Sequence, residues 1–230
     1  MKLYKLTNKK GKTKNGFVWG KGVLNQKPPI ENPELCSGDV FHAYKSANLA
    51  LLLNPIHADI QPKDLQLWAA DGEICADDWG KIGCFDLTLK EKMPLPEWFL
   101  NPLQKRRVLI CFAILCLEQI LPVFEKYLNY DRPRLLINAA KNYLQSAENG
   151  AKSNEVKSIE NVILAASSLW NSARAWDALV RWAPARAWDA SAKWSAENAL
   201  ECAEWGAARD VEINFPAVAD AAVKEITTSR

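Results

Sequence analysis

The stretch Met93-Pro94-Leu95-Pro96, followed by Asn101-Pro102, decides how this sequence divides. Its three prolines lie within nine residues and forbid a continuous helix, because proline fixes φ and lacks a backbone N–H. The sequence before this stretch favours strands, and the sequence after it is rich in helix formers. We therefore predict an α+β fold in three parts. A small mixed domain with a basic N-terminal loop spans residues 1–92, a proline-rich connector spans 93–104, and an all-helical bundle of about five helices spans 105–230.

Short β-branched and aromatic runs in the first 90 residues are typical of strands, since Gly, Asn and Pro bound them. We predict strands over residues 2–6, 17–19, 40–44, 65–69 and 82–89. Residues 46–53 instead carry closely spaced apolar side chains behind Ser46, a residue type that caps helix N-termini. One short helix is therefore expected among the strands.

The segment after the connector begins with the most hydrophobic part of the chain, Arg106–Leu128. We expect a central bundle helix there, with a kink or break near Glu118 because Pro122 removes one intrahelical hydrogen bond. Further helices are predicted over residues 131–147, 153–182, 184–206 and 216–226. The longest apolar run, Val108–Leu117, has ten residues, well short of the roughly 18 that a membrane-spanning helix needs. No membrane association is predicted.

Composition places the chain among ordinary folded proteins. Its 230 residues are 49% hydrophobic and 24% charged, so it can bury a core. Lys2 and Lys5 interrupt the N-terminal apolar region, and we therefore expect no signal peptide and a cytoplasmic location. The six cysteines include no CxxC pair, and there are two histidines. We expect reduced cysteines, no metal site and no cofactor.

Charge is distributed very unevenly along the chain. Residues 1–30 hold eight lysines and no acid, whereas the whole chain carries +2, so residues 31–230 carry −6. The polar segment 8–16 predicts an exposed basic loop, and its lysines are candidate anion-binding residues, namely Lys9, Lys10, Lys12 and Lys14. The alternative is a solvated hairpin tip. Gly11-Lys12-Thr13 is not a phosphate-binding P-loop, because Leu6 stands where the motif needs its first glycine.

An internal repeat lies in the C-terminal half. The hexad at residues 173–178 returns at 185–190, and tryptophans recur every six residues from position 170 to position 194. Successive tryptophans step about 240° around a helix and so visit three faces. Trp and Arg are common in binding hot spots, which makes the following residues candidates for partner binding: Trp176, Trp182, Trp188, Arg174, Arg181 and Arg186. The alternative is that these tryptophans pack inside a tight Ala/Trp bundle.

Two stretches resemble known families. Leu35-Cys36-Ser37-Gly38, followed after Asp39-Val40 by Phe41-His42-Ala43, resembles the Leu-Cys-x-x-Gly-Phe-His-Ala signature of an uncharacterised N-terminal domain of bacteriophage and prophage proteins. The helical half, with Asp131-Arg132-Pro133-Arg134 as its most specific element, resembles a family described as immunity proteins of bacterial polymorphic toxin systems. These resemblances imply a binding protein of the bacterial host cytoplasm that inhibits or neutralises a macromolecule. It would act as a phage counter-defence inhibitor or as a toxin immunity protein, and its partner would be a protein or a ribonucleoprotein.

Motifs of common enzyme classes are missing from the sequence. It contains no GxSxG, no HExxH and no glycine-rich dinucleotide turn, so we predict no enzymatic activity and no catalytic residue. Two alternatives stay open. One is a nucleic-acid or nucleotide binder that uses the lysine loop. The other is an enzyme whose His42 and Tyr44, with Glu73 or Asp86, resemble the nicotinamide pocket of ADP-ribosyltransferases. The sequence leaves the oligomeric state open.

Overall fold

The computed structural model describes residues 2–13, 16–35, 37–77, 80–128, 132–146 and 214–228. The chain forms two compact units, of which unit 1 contains Met1–Lys105 and Asn214–Arg230, and unit 2 contains Arg106–Ile213. The strands are β1 (Lys2–Asn8), β2 (Leu24–Gln26), β3 (Phe41–Ala43), β4 (Leu65–Asp71), β5 (Ile74–Asp77), β6 (Ile82–Cys84) and β7 (Asp86–Met93). The helices of the described residues are α1 (Ala47–Leu52), α2 (Asn54–His57), α3 (Glu97–Leu100), α4 (Pro102–Leu128), α5 (Arg132–Ser146) and α6 (Phe215–Thr228).

Unit 1 is built on two antiparallel sheets. The larger has the order β1-β4-β7-β2, and the smaller has the order β3-β6-β5. The two sheets are joined where Tyr4 and Tyr44 exchange a pair of backbone hydrogen bonds, both 2.9 Å long. Strand alternation sends side chains of both sheets into a shared core. That core contains Leu3, Trp19, Phe41, Ala43, Ala70, Ile82, Cys84, Leu87 and Leu89.

Local sequence signals account for several of these elements. The predicted short helix is present as α1, and the Ser46 Oγ accepts a hydrogen bond from the Leu49 backbone N–H at 3.3 Å, as an N-cap does. The predicted strand at 82–89 is two strands, β6 and β7, separated at Phe85. The predicted strand at 17–19 is replaced by a hairpin arm whose Val18 forms an isolated bridge with Lys12.

The prediction of a C-terminal half that is all-helical is wrong. Helix α6, the last of the chain, belongs to unit 1 and packs against α1 beside the sheets. Its apolar stripe is buried there, through Phe215, Val218, Ala219, Ala222 and Ile226. Alanines at two buried positions let the helix backbones approach closely. The chain therefore returns to the mixed α+β unit instead of ending in a separate helical bundle.

A polar network fixes α6 to α1. The Asp220 carboxylate oxygen Oδ1 accepts hydrogen bonds from the Ser46 hydroxyl and from the Asn48 amide, both at 2.9 Å. The Asn48 side-chain oxygen in turn accepts from the Trp98 indole N–H at 3.3 Å. Hydrogen bonds to a charged acceptor contribute more than neutral ones, so Asp220 helps to specify where α6 docks.

Asn48→Ala and Asp220→Ala should therefore show coupled effects on stability. We expect a double-mutant cycle from chemical denaturation to give a coupling energy of about 1–2 kcal/mol, because the charged hydrogen bond exists only when both side chains are present. A cycle between Asp220→Ala and Lys63→Ala, an exposed position on a different element of unit 1, serves as the control. Strictly additive effects for the Asn48 pair would contradict the hydrogen bond between Asn48 and Asp220.

In unit 2, α4 continues through Pro122 to Leu128, so of the predicted kink or break near Glu118 the break is absent. Its apolar run is buried, including Val108, Ile110, Cys111 and Ile114. Burial raises the pKa of the Cys116 thiol, which keeps it in the neutral form. Lys141 of α5 forms an ion pair with Glu118 of α4 at 2.5 Å. Within the described residues, no helix is both long enough and apolar enough to cross a membrane.

Candidate functional site

The predicted basic loop is the tip of a hairpin that follows β1. The Asn8 side-chain oxygen accepts hydrogen bonds from the backbone N–H groups of Lys10 and Lys12, both at 2.9 Å. Gly11 completes the turn with φ at 70°, and its N–H donates to the Asn8 carbonyl at 2.9 Å. Glycine adopts this left-handed conformation without the steric cost that other residues incur. The turn thus presents consecutive lysines to solvent.

The structure places three of the four candidate anion-binding lysines. Lys9, Lys10 and Lys12 are exposed, and Lys14 lies outside the described residues. Lys9 lies 3.7 Å from the Asp64 carboxylate. This ion pair is solvent-exposed, and exposed pairs contribute little to stability. Their role in anion binding stays a prediction.

Exposed apolar side chains concentrate in the segment that follows this hairpin tip. The described residues expose seven large hydrophobic side chains, and five of them lie between positions 17 and 30. These five are Phe17, Val18, Val23, Leu24 and Ile30. The exposed Lys21 lies in the same stretch. We call residues 8–30 the basic–apolar segment.

Lys5 is a buried lysine whose amine faces Trp19 of this segment. It lies on β1, is 8% exposed, and donates a hydrogen bond from Nζ to the backbone carbonyl of His42. Its Nζ also lies 4.7 Å from the ring centroid of Trp19. Burial is the main reason that the pKa of Lys5 falls from 10.5 to about 7, and the charge of Lys27 lowers it further. Near neutral pH the amine is therefore present in both its protonated and its neutral form.

His42 shares the same surroundings. It is half-buried on β3, and desolvation lowers the pKa of its imidazole to about 3. The charges of Lys5, Lys81 and Lys27 act in the same direction. The ring is consequently neutral at physiological pH.

The amine of Lys27 also lies beside an aromatic ring of the core. Its Nζ donates to the backbone carbonyl of Gly38 and lies 5.0 Å from the ring centroid of Phe41. Phe41, Trp19 and Phe17 form a triad with centroid separations of 4.9 to 5.2 Å. Lys5 and Lys27 thus contact different rings of one aromatic cluster, and Lys5 is buried whereas Lys27 is half-buried.

The ADP-ribosyltransferase alternative needs an acid beside His42. Glu73 and Asp86 lie together instead, where the Glu73 N–H donates to the Asp86 carboxylate at 2.9 Å. Both line an open cleft of about 590 Å³, and His42 is not among its lining residues. Tyr44 places its hydroxyl 3.1 Å from the His57 ring nitrogen Nδ1. Glu73 and Asp86 thus pair with each other and Tyr44 pairs with His57, and the ADP-ribosyltransferase alternative stays a prediction.

The candidate partner-binding residues Trp176, Trp182, Trp188, Arg174, Arg181 and Arg186 lie outside the described residues. In the part of the chain that is described, no group of three or more His, Cys, Asp or Glu side chains is arranged to hold a metal ion.

The sequence alone did not identify Lys5 as a candidate site residue, and Lys5 served there only as a charge near the N-terminus. A signal was available, because Lys5 stands between Leu3 and Thr7 at the positions of β1 that share one face. All three side chains are buried. A lysine at an inward position of a strand is a candidate for a perturbed amine.

Comparison with protein-family models, with curated proteins and with solved structures finds no match to this chain. The resemblances to a phage domain and to immunity proteins therefore stay predictions.

Proposed function

We propose that this protein binds a macromolecular partner through the basic–apolar segment and thereby inhibits or neutralises it. The observation that carries the proposal is the concentration of exposed apolar side chains beside lysines in one stretch of 23 residues. Clustered apolar exposure is typical of interaction surfaces, whereas single exposed apolar residues are ordinary. The exposed lysines of the segment, Lys9, Lys10, Lys12 and Lys21, would steer an acidic partner toward this surface.

The backbone of the segment supports the same proposal. Among the described strands, β2 stands at the end of the sheet order and pairs with β7, so it is an edge strand of that sheet. Val23 and Leu24, at the start of this edge, are 52% and 54% exposed. An edge strand presents backbone groups to which an extended segment of another chain can add. The exposed side chains would then supply apolar contacts and the lysines would supply charge complementarity.

Nucleic acid is the second candidate partner. It is favoured by the 40% exposure of Phe17 near Lys12, because an exposed ring beside cations can stack a base next to a bound phosphate. The aliphatic side chains of Val18, Val23 and Leu24 favour a protein, since nucleic-acid interfaces are more polar than protein interfaces.

The double variant Val18→Ser/Leu24→Ser should lose partner binding. We expect at least a tenfold reduction in the amount of partner recovered, because truncated apolar anchors commonly cost more than about 1.4 kcal/mol. The measurement is quantitative capture from nuclease-treated lysate of the organism that encodes the chain. Leu103→Ser, which alters an exposed leucine outside the segment, is the control.

Three outcomes separate the candidates. A stoichiometric protein retained by wild type and control but lost from the double variant supports the proposal. Binding to a single-stranded oligonucleotide that weakens steeply and linearly with the logarithm of salt concentration favours nucleic acid. Equal recovery of the partner by all variants contradicts a role for the segment and directs attention to the tryptophan repeat, where Trp182→Ala is the variant to measure.

A further inference from the structure

We propose that the amines of Lys5 and Lys27, beside the ring of His42, form a binding site for one small oxyanion, a carboxylate or a phosphate. The site is separate from the macromolecular binding proposed above, and its test contains no partner. It rests on two observations. Two lysine amines lie at the aromatic triad, and their partners there are neutral carbonyl groups and rings.

The two amines have neutral partners. Lys5 donates to the His42 carbonyl and faces the Trp19 ring, and Lys27 donates to the Gly38 carbonyl and faces the Phe41 ring. An ammonium group has three N–H donors, so one carbonyl does not exhaust either amine. Carbonyls and rings stabilise a cation but leave its net charge uncompensated. A bound oxyanion would supply the missing negative charge and accept hydrogen bonds from both amines.

The acidic group that acts on Lys5 does not supply that charge. It is the thiol of Cys84, which lies on β6 and is fully buried. Burial raises the pKa of this thiol to about 12, so it is neutral at pH 7. Lys27, the other charged group that acts on Lys5, is a cation.

Solvent can reach the cluster from one side. Lys27 and His42 are half-buried, Gly38 is exposed, and Phe17 covers the Phe41 ring while keeping 40% of its own surface accessible. An anion that enters here meets Lys27 first and would compete with the Gly38 carbonyl for its amine. The aromatic triad forms an apolar wall, which reduces competition from water and strengthens each charge-assisted hydrogen bond.

Anion binding must be coupled to the protonation of Lys5. A negative charge favours the ammonium form, so it raises the pKa of Lys5 from its lowered value. At about pH 8 the free site holds Lys5 mainly as the neutral amine, and binding should take up close to one proton. At about pH 6 the amine is already protonated and uptake should vanish. Acetate is a suitable probe because its own charge is constant over this range.

The test is calorimetric titration of the full chain with acetate and, separately, with inorganic phosphate. Each titration is repeated in two buffers of different ionisation enthalpy, which yields the number of protons taken up. Chloride at equal ionic strength corrects for general screening. We expect Lys27→Gln and Lys5→Met to weaken binding at least tenfold and Lys5→Met to abolish proton uptake. Lys63→Gln removes an exposed lysine elsewhere in unit 1 and should change neither result.

The outcomes decide whether the site exists and which anion it prefers. Stronger binding of acetate than of phosphate identifies a carboxylate site, and the reverse order identifies a phosphate site. Lys27→Gln alters a half-exposed side chain and keeps the test valid should Lys5→Met change the fold. Heats indistinguishable from those of chloride, or binding that both variants retain, would overturn the proposal.

Discussion

Replacing Lys5 with methionine should stabilise unit 1 at pH 7. The lysine is buried, and burial is the largest cause that lowers its pKa from 10.5 to about 7. This difference between the unfolded and folded states corresponds to a cost on the order of 4 kcal/mol at neutral pH. Methionine has a similar length and no charge, so it can occupy the same space without that cost. We expect Lys5→Met to raise the free energy of unfolding by about 3 kcal/mol after some loss of packing.

The sign of the pH dependence distinguishes this effect from a simple packing change. Between about pH 7 and pH 10.5 the unfolded chain binds more protons at Lys5 than the folded chain, so wild-type stability rises with pH in this window. Lys5→Met should remove that rise. The measurement is hydrogen exchange of the β4 amides, which pair with β1, across this range. Lys63→Met, at an exposed site, should keep the wild-type slope. A slope unchanged in Lys5→Met would show that Lys5 does not carry a lowered pKa.

Local signals in the sequence predicted local structure well. Ser46 with the apolar residues behind it specified α1, and Pro216 marked the start of α6, because caps and first-turn prolines act within a few residues. Local signals do not show which element a helix packs against. The apolar stripe of α6 requires burial but does not encode whether α1 or another helix covers it. The Asp220 contacts that settle its place join residues more than 170 positions apart.

For the candidate site, too, the local features could be predicted from the sequence and the long-range contacts could not. The excess of lysines and the exposed turn could be predicted from the sequence, because charge and turn-forming residues are local features. That Lys5 contacts the carbonyl of His42, and that Lys27 contacts Gly38 and Phe41, depends on how the two sheets close over one core. The alternation of Leu3, Lys5 and Thr7 hinted that Lys5 faces inward, but its neighbours come from strands far away in sequence.

Gly11→Ala should destabilise the basic hairpin far more than Gly16→Ala. Both glycines have a left-handed backbone, with φ at 70° and 74°, so alanine at either position costs about 1–2 kcal/mol. At position 16 an added Cβ would have no neighbour within 4 Å. At position 11 it would lie 2.7 Å from the carbonyl oxygen of Trp19, which is a steric overlap with backbone. We expect a total cost of about 3 kcal/mol for Gly11→Ala, measured by denaturation and by hydrogen exchange of β1.

The same substitution should also change the chemistry of Lys5. The Trp19 N–H donates to the Gly11 carbonyl at 2.8 Å, so relief of the overlap must move Trp19. Trp19 covers the Lys5 amine and contacts Phe41, and its displacement would admit water to the cationic cluster. The pKa of Lys5 should then rise from about 7 toward 10.5, because desolvation is the main cause that lowers it. NMR titration of the lysine ε-carbon resonances measures this shift. Equal costs for both glycine variants, or an unchanged Lys5 pKa in Gly11→Ala, would mean that the hairpin does not hold Trp19 over the buried amine.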